Sequence, residues 1–477
     1  MLDLLTDVVA RAGDLAYAEA RFEHRTGERL EVRNGAVHHA GQDNSAGIGI
    51  RVRVGAAWGF AATQDVTPQG AERALSRAIT LAQAQPARAV TGLAPVGPAI
   101  GSWSHPIAID PFGLALGDKL AHLLTAEEAM RGDPRVVRTS AESHAARIHK
   151  AFVSTEGARC TQDTIECGGG IMAVAVNGAE AQTRTYPSSH GGDVAQAGWE
   201  HVLALDLPGN AARVAAEAVE LLTAPPCPAA VTSLILHPEQ LALQIHESIG
   251  HALELDRMLL GEASYAGTSW VAPADLGSLR YGSELLNITA DATLPGGLGS
   301  FGWDDEGVAA ARTPLITAGV LQAALSDRAA AAAIGLTASG GCARADGFAR
   351  QPITRMTNVS IEPGTAGTLA DLIADTDDGI LMESNRSWSI DDRRLHFQFG
   401  TEVAREIRGG TLGRLLRNPS YAGVTPAFWG SLDAVCSASD WRPWGLTNCG
   451  KGEPGQMMRV SHGAAPARFR GVQVGVA

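Results

Sequence analysis

Hydrophobic and polar positions change period along the chain. Residues 3–15 and 68–85 repeat apolar side chains at helical spacing, which predicts two amphipathic helices. Pro68 stands at the start of the second, where its missing N–H is harmless. Between them the period shortens to two. Residues 30–33 and 36–39 flank Asn34-Gly35, a type I′ hairpin signal. Residues 48–54 alternate cleanly, turn at Gly55 and continue through 56–61. Residues 86–109, rich in Pro, Gly and Ala, read as a long connection. A helix is expected over 111–131. An antiparallel meander follows over 134–186, with turns at Glu156-Gly157, Gly168-Gly169-Gly170 and Asn177-Gly178. A further helix, 209–223, runs into Ala224-Pro225-Pro226-Cys227-Pro228. Prolines this dense exclude helix and central strand. The main domain boundary is placed there, dividing 1–224 from 225–477.

The second unit opens with a strand, 231–236, and a helix, 238–258. The pattern is then mostly β, over 285–289, 308–316, 319–325, 357–361, 379–382, 394–400 and 403–407. Pro314 makes the 308–316 strand an edge strand or a shorter one. Helical stretches interrupt near 327–335 and 368–374. Strands and helices do not alternate regularly, which disfavours a doubly wound parallel sheet. The expected class is α+β: an N-terminal mixed domain with an antiparallel sheet, then a β-rich, barrel-like C-terminal domain.

The helix after the boundary contains His246-Glu247-Ser248-Ile249-Gly250-His251, with Leu241, Ile245, Ile249 and Leu253 as its buried stripe. The motif is close to the zinc-protease pattern H-E-x-x-H but is one residue longer. On a regular α-helix an i,i+5 pair lies ~140° apart and is poorly placed to chelate one ion. A π-bulge restores the register, and such bulges favour functional sites. Gly250 is well placed to permit one. A catalytic zinc takes three protein ligands and leaves a fourth position open. Cys449, in Thr447-Asn448-Cys449-Gly450-Lys451-Gly452, is the candidate third, since zinc accepts thiolate with imidazole. Spacing alone does not select it, because Cys342 and Cys436 come earlier after His251. The same loop nearly matches a P-loop but lacks its Ser/Thr and its strand–loop–helix setting.

Composition narrows the classes. Asp and Glu outnumber Lys and Arg by 51 to 38, a formal charge of −13, which opposes nucleic-acid and anionic-membrane binding. No apolar run is long enough to span a bilayer. The first residues carry acids where a signal peptide needs basic ones, so a cytoplasmic protein is expected. Six cysteines with no C-x-x-C pair do not make a disulfide framework.

The sequence resembles the TldD/PmbA family, specifically its metal-binding TldD half. The resemblance rests on His246-Glu247-Ser248-Ile249-Gly250-His251 after Leu236-His237-Pro238, on Asp304-Asp305-Glu306-Gly307, on Arg355-Met356-Thr357-Asn358 and on Cys449-Gly450-Lys451. Gly47-Ile48-Gly49-Ile50-Arg51-Val52 followed by Gly59-Phe60-Ala61 resembles it too. These segments span essentially the whole chain in the family's order. The resemblance implies a zinc metallopeptidase with one Zn2+ per chain, acting on unfolded or modified peptides. By carry-over His246, His251 and Cys449 are the ligands and Glu247 the general base. The C-G-K context of Cys449 favours it over Cys342. The resemblance also implies a dimer, either with an identical chain or with a PmbA-like (TldE) partner. A metal amidase acting on a small metabolite, and a non-catalytic partner subunit, are the alternatives.

Other residues read more plainly. Asp304-Asp305-Glu306 are substrate-side groups or, by preference, an acidic turn at the surface. Arg355 is a carboxylate grip or a structural salt bridge. His237 reads as a cap or a surface histidine, His38-His39 as no site. Arg393, Arg394 and His396 read as an exposed polar strand edge.

Overall fold

A computed structural model describes residues 1–85, 92–261 and 267–476. The N-terminal half is built on one eight-stranded sheet. Its spatial order is Ala57–Thr63, Ala36–Val54, Tyr17–Arg33, Val136–Ser154, Arg159–Asn177 and Ile100–Ser104. Glu180–Tyr186 and Asp193–Ala195 also pair with Arg159–Asn177. All of these pairs are antiparallel except that of Ile100–Ser104, which runs parallel to its neighbour. That strand lies within the expected connection, whose residues 86–91 are outside the described residues. The hairpin at Asn34-Gly35 forms as its sequence predicts, both residues adopting positive φ. Gly168-Gly169-Gly170 is not a turn. It lies inside Arg159–Asn177 because the chain at Asp193 crosses at contact distance: a Cβ on Gly168 would sit 2.0 Å from the Asp193 carbonyl oxygen.

Strand alternation gives this sheet two different faces. Along Tyr17–Arg33, Ala18, Ala20 and Phe22 pack with Leu5, Val8, Ala74 and Ala78 of the helices Leu2–Ala10 and Pro68–Gln83. Further along, Leu30 and Val32 pack with Leu123 and Val214 of Leu116–Glu128 and Leu207–Leu221. The opposite face carries Glu19, Arg21, Glu23 and Arg25 and is turned to the C-terminal half. There Arg51 Nη2 bonds both Glu19 Oε2 and Glu306 Oε1 at 2.8 Å, and Lys150 Nζ reaches Asp305 Oδ1 at 3.0 Å.

Asp304, Asp305 and Glu306 are therefore not a surface turn, because all three are buried at this junction. Asp304 accepts the backbone N–H groups of Glu306, Val308 and Ala343, and Asp305 that of Ala345. Glu306 accepts the N–H of Arg328 besides Arg51. Removing one member of such a buried pair costs about 3–5 kcal/mol, so the cluster clamps the two halves together.

The C-terminal half contains a closed five-stranded barrel. Its strands are Asp378–Ile390, Ala230–Leu236, Ala467–Val474, Ser420–Val424 and His396–Arg408, which returns to Asp378–Ile390. The stretches expected as separate strands at 394–400 and 403–407 are one continuous strand. A single hydrophobic core joins Leu234, Leu236, Met382, Phe399, Tyr421 and Phe469, with Phe428 stacked on Phe469 at 4.1 Å between ring centroids.

The chain leaves the barrel at Leu236 and enters the helix Pro238–Ile245. Every residue from Pro238 to Leu255 is buried, including the predicted stripe Leu241, Ile245, Ile249 and Leu253. The helix does not run unbroken to 258. It becomes a π-helical turn over His246–Gly250 and a 3-10 turn over His251–Leu253, then extends at Glu254 before the short helix Leu255–Met258. Cys449 comes from a separate ribbon, Arg442–Lys451 paired with Gln456–Ala464. The expected glycine-rich loop is thus a strand, with its register shifted between Leu446 and Cys449.

Candidate metal centre

The π-helical turn does what the motif's spacing requires. It winds five residues where an α-helix winds four, so His246 and His251 project together, with ring centroids 4.6 Å apart. Gly250 allows the close packing: a Cβ there would fall 2.1 Å from the Met356 sulfur. The Cys449 Sγ lies 3.6 Å from His251 Nε2. Ligand atoms of His246, His251 and Cys449 all fall within 4.8 Å of one another. Tetrahedral zinc holds an imidazole nitrogen and a thiolate sulfur roughly 3.5 Å apart, so the residues present fit the ion.

Hydrogen bonds behind the rings assign their tautomers. His462 Nδ1 donates to the Val359 carbonyl at 2.7 Å, which leaves His462 Nε2 as an acceptor. His246 Nδ1 lies 2.8 Å from that nitrogen and must donate to it. His251 Nδ1 lies 3.0 Å from Glu254 Oε2, with Arg257 farther away at 3.2 Å, so its proton is assigned to the carboxylate bond. Both histidines then keep the Nε2 lone pair for a ligand. The carboxylate behind His251 raises its basicity as a ligand, and both partners fix ring orientation.

The electrostatics favour the same protonation states. Burial pushes His246 and His251 down to about 4, leaving both neutral at pH 7. Burial alone would push the Cys449 thiol up, but Arg355 and then His251 outweigh it and bring it down to about 7. Burial also raises Glu254, yet Lys451, Arg257 and His251 together hold it well below the usual carboxylate range. Cys342 and Cys436 are pushed up by burial to about 12. Cys342 donates instead to the Gly340 carbonyl and stands outside the cluster.

Glu247 is buried beside the cluster, and its Oε2 receives Arg394 Nη1 at 2.7 Å. Arg394 is therefore not on an exposed edge as its neighbours Arg393 and His396 are. A positive φ at Arg394 turns it inward from the end of the hairpin. Both residues line a cavity of about 420 Å³ with His190, His246, His251, Trp388, Asn448 and Cys449. His190 packs edge-on against Trp388, and its Nε2 is buried with no partner among the described residues.

The remaining candidates lie elsewhere. Arg355 is fully buried and donates to the carbonyls of Cys449 and Gln456. It holds the cysteine ribbon rather than a ligand's carboxylate. Lys451, the lysine of the near P-loop, is committed to Asp256 at 2.8 Å and the Thr354 carbonyl at 2.7 Å. The His237 ring bonds Glu239 and does not cap the helix. His38 and His39 are exposed and are not part of the cluster. Sequence reasoning missed His462, Glu254, Arg257 and His190. A carboxylate three residues after a suspected ligand was the available clue to Glu254. His462 offered none, because its strand neighbours carry no motif.

Next to the barrel, a buried His-His-Cys cluster that could hold a metal ion shares one cavity with a glutamate, and the comparisons name the family of the chain. Models of the PmbA/TldA metallopeptidase family match domain 1 at residues 18–82, the central domain at 109–224 and the C-terminal domain at 229–476. The chain belongs to this family. A metalloprotease of Methanothermobacter thermautotrophicus is 28% identical over 99% of this chain and 97% of its own length. A zinc metalloprotease TldD homolog of Saccharolobus solfataricus is 26% identical over 51% of each chain. The crystal structure of TldE from Thermococcus kodakarensis superposes with a TM-score of 0.78 at 16% identity, covering 99% of both chains, and shows the same fold. Among the described residues no helix is long and apolar enough to cross a membrane.

Proposed function

We propose that this chain is a zinc-dependent metallopeptidase that hydrolyses peptide bonds of unfolded or modified peptides. The observation that carries the reading is the π-helical turn, which gathers His246 and His251 onto Cys449 beside Glu247 in one cavity. His246 Nε2, His251 Nε2 and the Cys449 thiolate would hold one zinc ion. When bound, zinc supplies Lewis acidity toward water and the scissile carbonyl.

The chain's own groups do the rest. Arg394 pairs with Glu247 Oε2 and orients the carboxylate. Oε1, which no described residue bonds, takes the proton of the attacking water and returns it to the leaving amine nitrogen. Burial of His246, His251 and Glu247 lowers the local dielectric and strengthens these interactions. His462 and Glu254 hold the two imidazoles in the required tautomers.

The chain acts in the cytoplasm as a dimer, with an identical subunit or with a TldE-like one. The family membership and the shared fold of TldE support pairing. The division at 224/225 is supported by the prolines there and by the gap between the matched segments 109–224 and 229–476.

Elemental analysis tests the core of the proposal. About one zinc per chain is expected, lost in Cys449→Ala and in His251→Ala. Glu247→Gln should retain the metal while peptide hydrolysis falls by about 100-fold or more. Undiminished metal in Cys449→Ala would remove the third ligand, and full activity in Glu247→Gln would remove the general base.

A further inference from the structure

A second cavity, of about 260 Å³, opens on the polar face of the N-terminal sheet, with Arg25, Asp43, His190, Thr447 and Arg459 in its wall. His190 lines both this cavity and the one that holds the His-His-Cys cluster. One short piece of strand separates their linings: Leu446 and Asn448 face the cluster's cavity, and Thr447 faces the second.

Most charges around the second cavity are already matched. Arg459 Nε holds Glu166 at 3.1 Å. Glu28 receives Lys119 and Gln42. Arg29 reaches Glu31 at 3.4 Å and Glu142 at 3.2 Å. Asp43 is exposed to water. Arg25 is different. Its Nε is buried with no hydrogen-bond partner, and no carboxylate among the described residues pairs with its guanidinium. Burial, then the neighbouring Arg459, pull its pKa down by more than Glu166, Glu23 and Asp43 raise it. A partly buried donor without an acceptor is costly. Arginine's planar fork matches a carboxylate with two parallel bonds.

We propose that Arg25 receives a carboxylate of the peptide substrate in this second cavity, while the neighbouring substrate backbone lies in the cavity beside His190. The chemical class selected is thus a peptide with a carboxylate near the bond to be cut, supplied by its C-terminus or by an acidic side chain. This rests on the peptidase reading for what the bound peptide is, but not for whether it binds.

Calorimetric titration of the full-length, zinc-loaded chain carrying Glu247→Gln reads binding without turnover. Three probes are compared: an N-acetylated alanine–serine hexapeptide as the free acid, its C-terminal amide, and the amide with one internal Glu. The free acid should bind roughly tenfold or more tightly than the plain amide. Arg25→Gln should erase that gap, and Arg25→Lys should restore part of it. Recovery of affinity by the Glu-containing amide assigns recognition to a side chain, and no recovery assigns it to the C-terminus. Equal affinity for all three probes, no binding of any probe, or a gap that survives in Arg25→Gln overturns the proposal. The acid–amide comparison needs no change at Arg25, so misfolding of a variant cannot hide the answer. A gap in binding without any hydrolysis by the unsubstituted chain would sink the peptidase reading and leave the carboxylate site standing.

Discussion

The Nε2 of His462 stands 2.8 Å from the Nδ1 of His246, and the Val359 carbonyl behind it decides which nitrogen carries the proton. One backbone oxygen thus sets the tautomer of a candidate ligand two side chains away. His462→Phe removes the acceptor and leaves the His246 proton free to move. Zinc affinity, measured by competition with a chelator, should fall about 10–100-fold. An unchanged affinity would show that His246 needs no such support.

Cys449 is the one cysteine pulled below its ordinary pKa. Cys160, Cys167, Cys342 and Cys436 are pushed up to about 12 and Cys227 to about 11, burial being the first cause in each. In metal-free protein, thiolate absorbance near 240 nm should therefore rise through about pH 7. Cys449→Ala should abolish that step. A wild-type curve flat to pH 9 would contradict the assignment.

Gly250 and Met356 form a second coupled pair. A methyl group at Gly250 meets the buried Met356 sulfur, so Gly250→Ala should destabilise by about 1–3 kcal/mol through overpacking. Met356→Ala alone should cost about 2–5 kcal/mol by leaving a cavity. Chemical denaturation of the double variant should show a loss smaller than the sum of the two. Strict additivity would mean that the turn at Gly250 yields elsewhere.

Asp327 caps the helix Arg328–Ala333 through the Ala330 N–H at 2.7 Å and lies near Glu306. Burial, then the charge of Glu306, raise its carboxyl to about 6. The folded state therefore holds this proton more tightly than the unfolded chain does. Its contribution to stability is largest below pH 4 and is lost as pH rises through about 6. Asn keeps the cap without the charge. Asp327→Asn should flatten this part of the pH–stability curve and gain about 2 kcal/mol at pH 7. A loss at pH 7 would show that the ionised form is the one the fold prefers.

Much of the architecture is legible where short-range physics decides it. The hairpin at Asn34-Gly35, the helix starting at Pro68 and the strand before His237 follow from turn chemistry and periodicity. The extra residue in the His246–His251 motif lets both histidines reach one ion only if the helix is distorted or ends nearby, and the structure has a π-helical turn there. The readings that failed share a cause. Gly168–Gly170 looks like a turn because glycine permits turns, yet it serves close approach to Asp193. Asp304–Glu306 looks like a surface turn because acids favour water, yet their partners arrive from Arg51, Lys150 and several backbone amides.

Sequence by itself determined the hairpin at Asn34-Gly35, the helix starting at Pro68 and the residue types a metal would need at 246, 251 and 449. Periodicity, turn propensity and ligand chemistry act over a few residues, so they can be read from a string. Tertiary structure alone decided that Arg355 holds the cysteine ribbon, that Arg394 turns in to meet Glu247 and that His462 stands behind His246. Each joins strands or turns about 90 to 220 residues apart in the chain, and only closure of the barrel and its ribbon brings them within hydrogen-bond range, where a 2.7–3.2 Å geometry has physical effect.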